Sequence, residues 1–369
     1  MIIVNTVATR DIRVHLKELI KSSGERQSTV ASKIGISEGY LSKFLNGKEI
    51  NFWMVREIVR YLDLGNEAAL MKRYCLSGIK KKNFAVALEY CYSKQMFDVI
   101  EVLTRERLHM DKEREEWANI YLWILKSRGA FNQFEYTEEL KCFTPYSTEM
   151  KTLLYILEMY GYFYNNRFDM TIYYIETVRK MIESIDDPFL KIAFSARIDE
   201  VSANIYLKQK NDLIKARELA ERLLKRNLSV NHNITAFYIL ALSYMTESYS
   251  KSIYYYSKCI KLYEQFPDRA DEMVQNKEEI AILQHYWNKE ISEEYKVTKF
   301  VEFLSENKSL ESFYSDNYYN KYALLFDGIK ERSSEKLLLS LHYFSEKRDY
   351  FRANFPKIDL IKNGFNFKL

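Results

Sequence analysis

An all-α chain, with an N-terminal helix-turn-helix domain and a tetratricopeptide-like α-solenoid behind it, is the fold that the sequence predicts. Three observations predict it. Only 10 Gly and 4 Pro occur among 369 residues, too few turn residues for hairpins and sheets. The run from Arg26 to Gly47 has the spacing of two short helices about a tight turn. Three later segments, 153–182, 197–224 and 236–263, each repeat a helix, a polar turn and a Tyr-rich or Leu-rich second helix.

Taken in order, residues 1–9 read as a short arm. Ile12 to Ser22 follows as an amphipathic helix with Ile12, Leu16, Leu19 and Ile20 on one face. In the next run, Ala31 leaves room where two helices cross, and Gly35 permits the backbone conformation of the turn. Ser37 is a good N-cap for a helix from Glu38 to Leu45, which Asn46-Gly47 ends. Val30, Ile34, Ile36, Leu41 and Phe44 lock the two helices together, leaving Glu38, Gly39, Tyr40, Ser42 and Lys43 outward. The second helix of such a pair enters the DNA major groove. An ordinary helical hairpin would share only the small residues at the turn; here the whole spacing fits. Asn51 then caps a fourth helix that buries Trp53, Val55, Ile58, Val59 and Leu62, and this first domain, residues 1–65, closes near Gly65.

Charge supports the same division. The first 75 residues hold twelve Lys and Arg against eight Asp and Glu, and the remainder is balanced. The whole net charge of +4 therefore lies on the segment where phosphate attraction needs it.

Residues 66–369 read as a repeat domain for ligand sensing and dimerisation. The second helices of the three similar segments start near Phe168, Leu213 and Tyr249. Those steps bracket the tetratricopeptide period of ~34 residues, with the longer one absorbed by the Asp186-Asp187-Pro188 turn. Ser334 to Tyr350 resembles another second helix, and Phe84 to Tyr92 an early one. The 30 Tyr and 22 Phe serve helix-to-helix packing. The tail Phe351, Phe355, Ile358, Leu360, Ile361 and Phe365 is more apolar than a free end should be, which suits a dimer contact or a cap on the last repeat.

No catalytic constellation, metal site or cofactor motif is present in the sequence. The five His are scattered, and phosphate-loop, dinucleotide and nucleophile-elbow patterns are absent. Cys75, Cys91, Cys142 and Cys259 form no C-x-x-C pair and read as buried free thiols of a reducing cytoplasm. No stretch has signal-peptide or membrane-spanning character. The reading is a cytoplasmic regulator rather than an enzyme. A helix-turn-helix regulator constitutively bound to DNA, or a repeat scaffold that inhibits a partner protein, are the alternatives.

From Gln27 to Gly47 the chain resembles the lambda-repressor-like helix-turn-helix family almost position by position. That resemblance implies DNA contacts at Gln27, Ser37, Glu38, Gly39, Tyr40 and Lys43, with Asn46 near a phosphate. Glu38 departs from the pattern: a carboxylate in the groove can accept only from a donor such as cytosine N4, or it simply serves the first turn of its helix. The layout of head and repeats is similar to the Gram-positive peptide-pheromone receptors, and within them to the arbitrium receptor family (AimR) of Bacillus phages. Leu45-Asn46-Gly47-Lys48, the run from Leu70 to Leu76, Ala87-Leu88-Glu89-Tyr90 with Met96-Phe97, and Tyr343-Phe344 through Asp349-Tyr350-Phe351 carry this likeness. It implies a homodimeric regulator of phage lysis and lysogeny that binds an operator and a secreted, re-imported peptide of about six residues. It places Asn204 at a family asparagine that holds peptide backbone, and Asp349 and Phe351 at pocket positions. A family arginine falls on Asn231 and a later family asparagine on Leu242, so the pocket is divergent. On this reading Asn204 and Asp349 face one another across the repeats, and Asp349 is a carboxylate awaiting a cationic group of the ligand.

Overall fold

The computed structural model describes residues 11–105, 107–127 and 133–366. The expected arm at residues 1–9 lies outside them. Among the described residues there are only helices and turns. The chain divides into two compact units, residues 1–165 with 173–195, and residues 166–172 with 196–369.

The first unit opens with α1 (Ile12–Ser22), α2 (Gln27–Ile34), α3 (Glu38–Leu45) and α4 (Phe52–Asp63). It continues through α5 (Glu67–Leu76), α6 (Lys81–Ser93), α7 (Phe97–Thr104), α8 (Lys112–Lys126), α9 (Gln133–Leu140) and α10 (Thr148–Tyr164). The division then passes within α11 (Phe168–Glu183) and α12 (Pro188–Lys208). The caps read from the sequence are in place. Asn51 Oδ1 accepts from Trp53 N at 2.9 Å, and Asp187 Oδ1 accepts from Phe189 N and Leu190 N at 2.9 and 3.0 Å. The carboxylate of the Asp-Asp-Pro turn is thus a cap.

The expected domain boundary at residue 65 falls inside this unit, where helices on either side of it share one core. Phe52, fully buried, has its ring 5.8 Å from Tyr74, 5.5 Å from Tyr90 and 6.4 Å from Phe189. Its backbone N–H donates to Asn83 Oδ1 at 3.0 Å. The Arg56 guanidinium is buried between the rings of Trp53 and Phe189 and donates through Nε to Glu67 Oε1 at 2.8 Å. Tyr90 Oη donates to the same oxygen. A buried cation is tolerated only when paired in this way.

The second unit stacks α13 (Leu213–Arg226), α14 (Val230–Ser243), α15 (Tyr249–Tyr263) and α16 (Ala270–Tyr286), then α17 (Lys299–Ser305), α18 (Asn320–Glu331), α19 (Ser334–Glu346) and α20 (Asn354–Lys362). The second helices begin at Phe168, Leu213 and Tyr249, the starts that the repeat pattern predicts. Asparagine does much of the work expected of glycine. Asn166, Asn211, Asn227, Asn288 and Asn307 all take positive φ after a helix, a conformation in which Asn is the best tolerated residue after Gly. A chain with ten glycines can therefore still make this many turns.

Two expectations change here. Cys75, Cys91 and Cys259 are buried, but Cys142 is exposed, because it lies in the turn that follows α9 instead of on a packed helix face. The apolar tail is largely consumed within the chain. Phe351, Phe355 and Leu360 are buried, while Ile358, Ile361 and Phe365 remain partly exposed on the outer side. The cap on the last repeat thus accounts for half of that apolar surface.

Replacing Phe52 by Ala should remove the ring shared by α4, α5, α6 and Phe189 at a cost of about 3–5 kcal/mol. Urea denaturation of the full chain should show a lower midpoint, with the head-reporting Trp53 fluorescence changing first.

Candidate nucleic-acid interface and buried polar cluster

The geometry of α2 and α3 follows from three residues. Gly35 adopts φ +78 and ends α2, with its N–H donating to Ser32 O at 3.1 Å, and Ile36 N donating to Ala31 O at 3.0 Å. Ser37 is extended, and its Oγ accepts from Tyr40 N at 3.2 Å, which starts α3. Val30, Ala31, Leu41 and Phe44 are buried between the helices. The turn therefore sets the crossing, and the apolar positions hold it.

This arrangement exposes Ser37, Glu38, Gly39, Lys43 and Asn46 together. Asn46 is anchored from behind, its Oδ1 accepting from Lys17 Nζ at 3.2 Å and its Nδ2 donating to Ser42 Oγ at 3.3 Å. Lys33 is committed to Glu25, which also accepts from Tyr61 Oη at 2.8 Å. Gln27 begins α2, and its Nε2 is buried without an acceptor among the described residues. Tyr40 departs from expectation. Its ring is half-buried and its hydroxyl accepts from Asn51 N at 3.2 Å, so the side chain turns toward the start of α4 instead of outward. The reason is the N–H of Asn51, which lies just ahead of α4, has no helical partner and is met by the nearest hydroxyl.

In the second unit the chain brings together a polar cluster that the sequence only partly foreshadows. After α19 the chain turns at Asp349, whose Oδ1 accepts from Arg352 N at 3.1 Å. Tyr350 N donates to Lys208 O at 2.8 Å and Asn354 Nδ2 to Asn211 Oδ1 at 3.0 Å, tying this turn to the end of α12. Arg352 is buried. Its Nη1 donates to Asp349 Oδ2 at 2.7 Å, and its Nη2 donates to Tyr238 Oη at 3.0 Å and to Glu279 Oε1. Tyr256 Oη reaches the other oxygen of Glu279 at 3.5 Å. Lys208 lies 5.5 Å from the Tyr238 ring, and Lys321 lies 4.5 and 5.4 Å from the rings of Tyr318 and Tyr322.

The expected ligand residues fare differently here. Asp349 is not a carboxylate without a partner: Arg352, three residues on, occupies it. Burial alone would raise its carboxyl, but the charges of Arg352 and Lys208 and the hydrogen bonds from Arg352 hold it below the usual carboxylate range. Phe351 is buried against Phe355, with ring centroids 5.7 Å apart, and has no open face. Asn204 is half-buried on α12, and its Nδ2 donates to Glu200 O at 3.1 Å within the helix. It lies one turn before Lys208, so α12 and the Asp349 turn do meet, through Lys208 and not through Asn204. Asn231 is exposed, and its Oδ1 accepts from Arg269 Nη1 at 2.7 Å. Arg352, Glu279, Lys208 and Lys321 escaped the sequence reading. An Asp-x-x-Arg spacing at a turn was the one signal available for Arg352; Glu279 looks like any acidic residue of a helix.

Two layers define the class of molecule: a head with the geometry of DNA-binding helix-turn-helix proteins, and stacked helix pairs enclosing a charged cluster. The model of the AimR transcriptional regulator-like family matches residues 67–362, and the chain belongs to that family. The AimR transcriptional regulator of Bacillus phage SPbeta is 22% identical over 383 aligned residues, covering 97% of this chain and 98% of its own. The solved structure of SeMet-phAimR matches with a TM-score of 0.71 at 18% identity, over 96% of this chain and 97% of that one. The structure of phAimR-Ligand matches with a TM-score of 0.66 at 18% identity, over 85% of this chain and 98% of that one. The family match starts at residue 67, so the head stands on its own geometry.

The Asp349 pairing carries a pH signature. A carboxyl whose folded value lies below its unfolded one stabilises the fold above the usual carboxylate range and loses that contribution as pH falls through it. Melting temperatures from pH 7 to pH 3 should fall less steeply for Asp349→Asn than for the parent. The variant should also melt lower at pH 7.

Proposed function

We propose that this protein is a DNA-binding transcription regulator whose activity responds to a short peptide and controls the choice between phage lysis and lysogeny. Its head, residues 1–65, binds operator half-sites, and its repeats bind the peptide and dimerise in the cytoplasm of the bacterial host. The observation that carries the DNA part is the exposed face of α3. Glu38, Gly39 and Lys43 stand outward on a helix whose start is fixed by Ser37 and whose back is buried through Leu41 and Phe44. A rigid helix presenting a few polar side chains is what base-edge readout needs. Gln27, at the start of α2, is placed as the backbone-contacting residue of such heads are.

The peptide part is supported by family membership, by the regulator of phage SPbeta to which the chain is similar over nearly its full length, and by a likeness to a structure named for its ligand. A homodimer fits the exposed Ile358 and Ile361, three positions apart on α20 beside Phe365. Isolated apolar residues are ordinary on surfaces, but a cluster at a chain end suits a self-complementary contact.

Lys43→Ala should weaken binding to operator DNA by about 1–3 kcal/mol, the worth of one base contact, with helicity unchanged. Mobility-shift titration against DNA flanking the protein's own gene measures it, and parent-like affinity would show that α3 is not the reading helix. Changing Ile358 and Ile361 together to Glu should convert dimer to monomer in sedimentation while the far-ultraviolet spectrum stays the same.

A further inference from the structure

The buried cluster of the second unit has one cation too many. Arg352, Lys208 and Lys321 face two carboxylates, Asp349 and Glu279. Widening the circle adds one charge of each sign, Lys347 beside Lys321 and Glu278 below it, and leaves the same excess. Glu278 is already engaged, accepting from Thr298 Oγ1 at 2.8 Å.

Three further features show where the excess is felt. Arg352 uses both terminal nitrogens on chain acceptors, but its buried Nε has no acceptor among the described residues. A buried donor without an acceptor carries its full desolvation cost. Lys321 is pulled down to about 8, first by burial and then by the charge of Arg352, with Asp349 and Glu279 unable to compensate. The cluster also has a way out. Tyr318, whose ring lies beside the Lys321 ammonium and whose hydroxyl feels Glu279, Arg352 and Tyr238, is 44% exposed. A ligand group entering past Tyr318 would meet aromatic walls from Tyr238, Tyr318 and Tyr322, and a net positive charge.

Resting on the proposed peptide response, we infer that this receptor selects its ligand by an anionic group, the terminal carboxylate of a short peptide, held by Arg352, Lys321 and Lys208. Asp349 and Glu279 are the resident counter-ions that keep the Arg352 guanidinium in place. A carboxylate supplies the missing negative charge and offers lone pairs to several N–H donors at once. A ligand cation would compete with Arg352 for Asp349 and add to an existing excess. The pocket thus discriminates by sign as much as by shape.

The test uses the full chain and two pools of random N-acetylated hexapeptides, identical except that one ends in a free carboxylate and the other in an amide. Affinity selection read by mass spectrometry should retain the free-acid pool at least about tenfold better, since leaving a buried charge unpaired is costly. Peptides rescued from the amide pool by Asp or Glu would place the carboxylate on a side chain instead of at the terminus. Lys321→Met should melt higher at pH 7 than the parent, because an unfavourable buried charge is gone, yet retain acid peptides about tenfold less well. Equal retention of both pools with no acidic enrichment, or undiminished retention by Lys321→Met, overturns the inference and leaves the peptide reading intact. Retention of neither pool overturns both.

Discussion

The second unit depends on the neutralisation of one buried guanidinium. Arg352 cannot be buried as a bare charge, and its acceptors come from three places: Asp349 on its own turn, Tyr238 on α14 and Glu279 on α16. Satisfying it fixes those elements relative to one another, and the backbone bond from Tyr350 to Lys208 brings in the end of α12. Breaking one arm of such a pair strands a charge in a poorly solvated place, which typically costs about 3–5 kcal/mol. The chain end is therefore a structural keystone for its unit, and the same group sits where a ligand would be recognised. Stability and recognition draw on the same charges, which is why the resident cations are held in an unfavourable state until an anion arrives.

The first unit follows a similar rule with different chemistry. Here α4 belongs to two cores at once. Val55, Ile58 and Val59 close the helix-turn-helix, while Phe52 and Arg56 reach the other way to Tyr74, Tyr90, Phe189 and Glu67. Asn83 strengthens the joint. Its side chain accepts from Phe52 N and donates to Ile50 O at 2.8 Å and to Glu49 Oε1 at 2.7 Å, serving the backbone just ahead of α4. A reading head held by aromatic contact and a buried ion pair moves with the helices behind it. For a regulator, that means a change in α5 or α6 is felt by α3 without any linker to absorb it.

Much of this was written in local sequence, because local rules decide it. Caps and turns depend on residues within four positions of one another, so Asn51, Ser37, Gly35 and the helix starts at Phe168, Leu213 and Tyr249 could all be placed from the chain alone. Periodicity gave the buried faces of α1 and α4 for the same reason. The exposed readers of α3 followed from the pattern too, since helix phase tells which side chains point away from a packed face.

Tertiary structure decided the pairings over long separations, which no periodicity encodes. Tyr40 turned inward because an unpartnered backbone N–H eleven residues away needed an acceptor. Phe52 became a central core residue because Tyr74, Tyr90 and Phe189 converge on it from distant helices. Asp349 lost its expected vacancy to Arg352, whose other partners, Tyr238 and Glu279, are 114 and 73 residues away. The sequence by itself determined which helices form and which faces they bury, since those depend on neighbours along the chain. Only the folded chain decided which charges meet, because electrostatic pairing depends on proximity in space, and that sets the sign of the group that the cluster can accept.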